Sequence, residues 1–257
     1  LFRAVLFKTY AHAGTDPREL AVRTGLPVVT LAYGDLGGHR ADLDQALGIM
    51  AEVLGCQERA QAVIAFFDKE IAALRRRTAD LPAADRPLAY VGGIAHRGPH
   101  GFQSTEPAYP PFAFIHARNA AGASGYGPQN SQIAKEMLLA WDPDVLFLDL
   151  STLQMGADAG GLYELKTDPV YRSLTAVKQG RVYGVLPYNW YTRNFGSILA
   201  DAWFAGSVLY PERFQDVDPR AKADAIYRFL EGKPVFDRMN QSFQGMVFQR
   251  IDLTEGP

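Results

Sequence analysis

Apolar residues at Ala60, Val63, Ile64, Phe67, Ile71 and Leu74 recur at i, i+3, i+4 and i+7 spacing through residues 58–78, which predicts a single long amphipathic helix. At roughly five turns or more it is longer than most helices of a globular domain. It runs straight into Leu81-Pro82-Ala83-Ala84-Asp85-Arg86-Pro87, a polar stretch bounded by prolines that marks a join between two units. A chain of 257 residues has enough length for two domains of ordinary size. We therefore divide it into residues 1–57, a helix over 58–80 and residues 81–257.

On both sides of that helix the pattern alternates between short apolar runs and helical periodicity. Ala4-Val5-Leu6-Phe7 and Val28-Val29-Thr30-Leu31 read as strands separated by a helix over residues 16–24 that stops at Gly25. Leu43, Ala46, Leu47, Met50 and Leu54 then give a helix stopping at Gly55. Past the join, Leu88-Ala89-Tyr90-Val91 opens a second unit, followed by an irregular stretch over 92–112 rich in Gly and Pro, of a length that commonly serves function. Ser131 is expected to cap a helix carrying Ile133, Ala134, Met137 and Leu138. Val145-Leu146-Phe147-Leu148 has the unbroken apolar character of a buried parallel strand, and residues 181–185 form the next one. A helix with Ile198, Leu199, Ala202, Ala205 and Leu209 on one face follows, and Asp218-Pro219 caps a last helix through Ile226, Phe229 and Leu230. The fold class is α/β, with parallel-rich sheets.

Composition removes several functions. Formal charge is −2, and the single basic run, Arg75-Arg76-Arg77, falls at a helix end where cations complement the helix dipole and face water, so a nucleic-acid partner lacks its electrostatic footprint. One cysteine, Cys56, precludes an internal disulfide and a cysteine-based zinc site. No apolar run approaches the ~18–20 residues of a spanning helix. The chain opens on Leu1 rather than Met, and its first unit is small beside the second, so we expect this sequence to be the truncated remainder of a longer one.

The segment after the strand over 181–185 is the most informative for function. Tyr188, Asn189, Trp190, Tyr191, Thr192, Arg193 and Asn194 bring three large rings, two amides, a hydroxyl and a guanidinium into one loop. Rings with polar tips supply rigid contact area, and in an open α/β sheet ligands bind at the carboxyl ends of strands. No nucleophile and base stand together nearby. The loop therefore reads as a binding element rather than a catalytic one.

With its elements in this order, the chain resembles the helical-backbone class of periplasmic substrate-binding proteins of ABC transporters, the group that handles ferric siderophores, haem, cobalamin and some oxyanions. The match rests on Gly25-Leu26-Pro27-Val28-Val29, the long helix, Arg86-Pro87-Leu88-Ala89-Tyr90-Val91-Gly92-Gly93, Leu139-Ala140-Trp141-Asp142-Pro143-Asp144-Val145-Leu146-Phe147 and Leu174-Thr175-Ala176-Val177-Lys178-Gln179-Gly180-Arg181-Val182-Tyr183. Ser104-Thr105-Glu106-Pro107-Ala108-Tyr109-Pro110-Pro111-Phe112 and the aromatic loop are similar to the iron-complex subgroup. The resemblance implies two Rossmann-like lobes joined by one bridging helix, with the first lobe truncated here and the ligand held in the cleft between them. It also implies an ABC permease as partner and a location in the periplasm or on a lipid anchor outside the cytoplasmic membrane.

On that fold, the second lobe offers two ligand-facing stretches: His96, Arg97, His100, Glu106 and Tyr109 after its first strand, and Tyr188, Asn189, Trp190, Tyr191 and Arg193 after its last. Arginine with stacked rings suits a bulky anionic iron chelate, and no resident cofactor is expected, the iron complex being cargo. A tetrahedral oxyanion such as molybdate or tungstate, held by Arg97 or Arg193, is the second reading. His96 and His100 at i, i+4, with Glu106, are candidate metal ligands for a third reading, a metal-dependent hydrolase, although Arg97-Gly98-Pro99 breaks the helix such a pair needs. The resemblance also implies an acidic transporter-docking residue on each lobe, but the position shortly after the aromatic loop holds Asn194, not an acid. A sheet cut short leaves an open edge, so self-association is an expected hazard.

Overall fold

The computed structural model describes residues 16–123, 127, 130–190 and 192–254. The chain divides into two compact units, residues 1–68 and 69–257, the division falling inside the long helix. The predicted strand over residues 4–7 lies outside the described residues.

In the first unit the described residues form helices α1 (Pro17–Thr24), α2 (Arg40–Leu54) and the start of α3 (Gln57–Thr78). Local chemistry sets their ends. Asp16 accepts from Arg18 N at 2.9 Å ahead of Pro17, and Gly25 and Gly55 close α1 and α2 in the left-handed conformation at φ +67° and +70°. Arg40 ties α2 to α3: it bonds Asp44 at 2.7 Å, Asp68 at 3.0 Å and the Ile64 carbonyl at 3.2 Å, and lies over the Phe67 ring. The Val28–Thr30 region carries no strand, contrary to its apolar pattern, and Val29 is 42% exposed. A strand needs a neighbour to take its backbone hydrogen bonds, and among the described residues none pairs with it.

The second unit is built on a four-stranded parallel sheet in the order β3-β1-β5-β6, from β1 (Leu88–Gly92), β3 (Arg118–Asn119), β5 (Val145–Asp149) and β6 (Val182–Val185). Its register pairs Ala89 with Val145 and Leu146 with Val182. Because side chains alternate across a strand, Tyr90 faces Phe102, which in turn meets Tyr171, whereas Phe147 and Tyr183 face Phe204. Burying each of these large side chains contributes roughly 1.5–3 kcal/mol. Helix α9 (Phe195–Leu209) covers the Phe147 face, packed between α4 (Pro110–Phe114) and α10 (Pro219–Glu231). Helices α5 (Lys135–Trp141), α6 (Gly160–Thr167), α7 (Pro169–Ser173) and α8 (Thr175–Lys178) supply the remaining connections, and α11 (Phe236–Ser242) follows α10. Residues 247–251 lie along β6, with Ile251 N donating to Val182 O at 2.8 Å and Gly184 N to Gln249 O at 3.0 Å, so that side of the sheet is not left open.

Two sequence expectations need correction here. Ser131 does not cap a helix: with Gln132 it forms β4 (Ser131–Gln132), paired antiparallel to β2 (Ser104–Thr105), and α5 begins only at Lys135. Tertiary pairing overrides the cap propensity of the serine. Of the arginine run, Arg75 and Arg76 are exposed, but Arg77 turns inward to form a two-toothed pair with Asp216, at 2.6 and 2.8 Å, over the rings of Trp203 and Phe214.

Candidate functional site

The strand order reverses between β1 and β5. From β1 the chain goes one way, through α4 to β3, and from β5 the other way to β6. A crevice opens at such a switch point, outside the carboxyl ends of the strands, and it is where ligands bind in sheets of this kind. The two stretches singled out in the sequence both follow carboxyl ends of this sheet, residues 92–109 at the end of β1 and residues 188–194 after β6.

The first stretch is pinned at its base. Ile94 N donates to Ser104 O at 3.1 Å, Ser104 Oγ to Ile94 O at 2.7 Å and Thr105 Oγ1 to Val91 O at 2.7 Å. Glu164 of α6 accepts from Phe102 N at 2.7 Å, and a Cβ on Gly101 would stand 2.3 Å from its Oε1, so any larger residue there would have to displace the carboxylate. Farther out the turn is tight: His96 N donates to Gly98 O at 3.0 Å, and Arg97 is held at φ +58°, a left-handed value that costs a side-chain-bearing residue energy. Thr152, in the 3-10 turn Leu150–Met155 after β5, donates to His100 O at 2.7 Å.

The second stretch folds back on itself. Asn189 and Arg193 pair as an antiparallel bridge, and Asn194 N donates to Tyr188 O at 2.8 Å. Asn194 Oδ1 then caps α9 by accepting from Ser197 N at 3.1 Å, which accounts for an amide at this position.

The two stretches meet. Arg97 N donates to Trp190 O at 3.2 Å, the Tyr188 hydroxyl donates to Glu106, and the rings of Tyr109 and Tyr188 lie 5.7 Å apart. Two layers result. The outer rim carries exposed His96 and Arg97 with half-buried His100, Asn189, Trp190 and Arg193. The layer beneath consists of buried Glu106, Tyr109 and Tyr188. Tyr191 lies outside the described residues. His100 Nε2 donates to the His96 carbonyl at 2.9 Å, so this ring bonds backbone. Among the described residues no group of three or more His, Cys, Asp or Glu side chains is placed to hold a metal ion.

Two residues of the lower layer escaped the sequence reading. Asp149 ends β5 and Asp201 lies inside the apolar face of α9, and both are fully buried. One oxygen of each is satisfied: Asp149 Oδ1 accepts from Ser151 N at 2.9 Å and Asp201 Oδ1 from Leu186 N at 2.9 Å. The second oxygen of each, and the Tyr109 hydroxyl, have no hydrogen-bond partner of normal geometry. Loss of water raises the Asp149 carboxyl to about 7, helped by the negative charge of Glu106. Asp201 is pushed well above the carboxylate range by burial, with Asp149 adding to the rise and Tyr109 opposing it. Both tyrosine hydroxyls are raised by burial and then by the acids around them, and Arg193 offsets part of the shift on Tyr188. An acid inside an otherwise apolar helix face was the available signal for Asp201.

The family model for periplasmic binding proteins matches residues 5–188. No curated protein matches the chain. Among solved structures, a periplasmic solute binding protein from Veillonella parvula is similar at TM-score 0.63 and 18% identity, over 89% of this chain and 65% of that one, so the present chain spans just under two thirds of its length. The molybdate periplasmic binding protein MolA of Haemophilus influenzae, bound to molybdate, gives 0.63 and 19%, over 84% of this chain and 69% of that one. The periplasmic heme binding protein HutB of Vibrio cholerae gives 0.55 and 19%, over 76% and 72%. At these identities the likeness is one of fold.

Proposed function

The chain belongs to the periplasmic binding protein family, and from that premise we propose that it captures an anionic metal chelate, of the ferric siderophore or haem kind, for delivery to an ABC importer. The observation that carries this reading is the junction of Arg97 N with Trp190 O at the switch point, which sets two guanidinium groups, an indole and two imidazoles around one rim. Guanidinium groups recognise carboxylate and catecholate-like oxygens by paired hydrogen bonds. The half-buried indole of Trp190 offers a flat face to a ligand that is itself partly planar.

Capture without turnover is the reading that the loop's composition of rings, amides and guanidinium groups supports. The site of action is the periplasm or the outer face of the cytoplasmic membrane, and the partner is a permease. No helix of the described residues is long and apolar enough to cross a membrane.

A second reading, a tetrahedral oxyanion, is favoured by the fold likeness to a protein solved with molybdate. The ring-bearing rim argues for the larger ligand. Thermal denaturation in the presence of haem, ferric citrate, a ferric catecholate or molybdate separates the two, since a ligand that binds the native state raises Tm by mass action. A rise with the iron complexes and none with molybdate is the expected pattern. A rise with molybdate alone would replace the chelate by the oxyanion, and no rise with any probe would overturn the capture reading.

A further inference from the structure

Under the rim, three buried oxygens are brought to one end of the sheet: Asp149 pairs with Val185 across β5 and β6, Asp201 Oδ1 accepts from the N–H of the next residue, Leu186, and the Tyr109 ring lies 5.7 Å from that of Tyr188, two residues on. Tyr109 Oη, Asp149 Oδ2 and Asp201 Oδ2 are enclosed, and none has a normal partner. An ionised carboxylate only accepts, so with both aspartates charged the group holds a single donor, the tyrosine O–H, for two acceptors that repel each other. One added proton changes the count to two donors among three oxygens, enough for a chain running from carboxyl to carboxylate through or beside the phenol.

The surroundings argue for the proton. Asp201 is faced by Tyr109 from the segment before α4, by Asp149 from the end of β5, by the Leu186 N–H after β6 and by Tyr227 of α10, which itself bonds Ser197 Oγ at 2.8 Å. Asp149 is faced by the backbone and hydroxyl of Ser151 and by the carboxylate of Glu106. None of these groups is basic. Arg193 acts on the cluster through Tyr188, whose hydroxyl is engaged with Glu106. A buried charge without a cation is costly enough that the group neutralises instead.

Both aspartates are also anchors. Asp201 holds Leu186 N, the point where the chain leaves β6 for the aromatic loop. Asp149 holds Ser151 N in the 3-10 turn whose Ser151 Oγ donates to Gly93 O at 3.3 Å and whose Thr152 donates to His100 O, the two ends of the other loop. Any change in separation between the two carboxyls therefore reaches both sides of the rim.

We propose that Asp149 and Asp201 share a proton beneath the rim at neutral pH, with the Tyr109 hydroxyl as third member, and that its loss to solvent at alkaline pH drives the carboxylates apart and shifts the two loops they anchor. The effect on affinity rests on the reading of the rim as a ligand surface; the proton does not. A guanidinium does not deprotonate in this range, so a fall in ligand affinity at alkaline pH would report the pair.

Infrared spectroscopy of the ligand-free chain tests this. At pH 7 the wild type should show the carbonyl stretch of an unionised carboxylic acid, fading as pH rises, and Asp149→Asn and Asp201→Asn should each remove or displace it while Glu106→Gln keeps it. Absence of the band in the wild type, or its loss only in Glu106→Gln, would overturn the proposal. Should the asparagine variants not fold, carbon-13 labelling of aspartate carboxyls in the wild type replaces them, and a chain with every aspartate ionised at pH 7 is the contrary result. Tryptophan emission, taken as the difference between wild type and Trp190→Phe, should move with the same midpoint as the band. A band that titrates while this emission stays flat would refute the coupling to the rim. A rim that moves in step with the band while no haem, ferric chelate or molybdate binds at any pH would leave the shared proton standing and refute the capture reading instead.

Discussion

Arg97 keeps a left-handed backbone that glycine would occupy without strain, and it keeps it where its N–H bonds the Trp190 carbonyl of the other loop. Retaining an unfavourable conformation at a binding rim is the mark of a residue held for its side chain. Arg97→Gly is accordingly expected to leave stability unchanged or raise it by about 1 kcal/mol while weakening the binding of an anionic chelate about tenfold or more, a loss of roughly 1.4 kcal/mol. Chemical denaturation and a binding titration on the same preparation read the two signs separately. Gly92 shows the opposite case. A Cβ there would lie 2.4 Å from both the carbonyl oxygen and a ring carbon of Phe102, so Gly92→Ala should destabilise by about 1–3 kcal/mol through overpacking, measured as a lower denaturation midpoint. At this scale the sequence pointed to His96, Arg97, Trp190 and Arg193 as loop residues, and the structure leaves the first two exposed and the last two half-buried. It was silent on depth: Glu106, Tyr109 and Tyr188 have the same letters as surface ligands but lie in the layer below.

The long helix is fastened to its unit by a cluster of charge and ring contacts. Glu70, 5% exposed, accepts from Trp203 Nε1 at 2.8 Å and pairs with Lys222 at 2.8 Å, and the lysine sits over the Trp203 ring at 4.4 Å. Removing one partner of a buried pair leaves the other charge and the indole N–H unsatisfied. Glu70→Ala should cost about 3 kcal/mol in a denaturant titration, whereas Asp216→Ala, which breaks a pair whose acid is largely exposed, should cost clearly less. Equal costs for the two would show that burial does not govern these contacts. Helix ends were legible because their causes are local: Asp16, Gly25, Gly55, Asp218 and Pro219 all stand where the pattern put them. Ser131 and Val28–Thr30 were misread because strand pairing is decided by partners distant in sequence. The Glu70 fastening was invisible for the same reason, its three members being spread over α3, α9 and α10.

For the molecule as a whole, the buried acids set the sense of the pH dependence. The carboxyl of Asp149 is raised to about 7 and Asp201 well above the usual range, so the native chain holds protons that the unfolded chain releases near pH ~4. The unfolded state then binds fewer protons, and stability falls as pH rises from about 4 to about 7 on account of Asp149, and further on account of Asp201. His116 works against this: burial, with Arg86 and Arg75 adding, lowers its pKa, so its contribution is lost as pH falls through the ordinary histidine range. The difference between wild type and Asp149→Asn isolates the acid, and that variant should show a flatter decline of Tm between roughly pH 5 and pH 7. An unchanged slope would mean that Asp149 is ionised in the native state.

The α/β class and the family were legible because alternating strand and helix patterns recur over most of the chain and one helix, Gln57–Thr78, is unusually long. The ligand is a matter of the rim, and calorimetric titration of the wild type, Trp190→Ala and Arg193→Ala with haem and a ferric catecholate addresses it most directly. One saturable site for an iron complex in the wild type, weakened about tenfold or more in both variants, is the result predicted here. Saturable binding that neither substitution alters, or no binding of either complex by the folded wild type, would contradict the assignment of this rim as the capture surface.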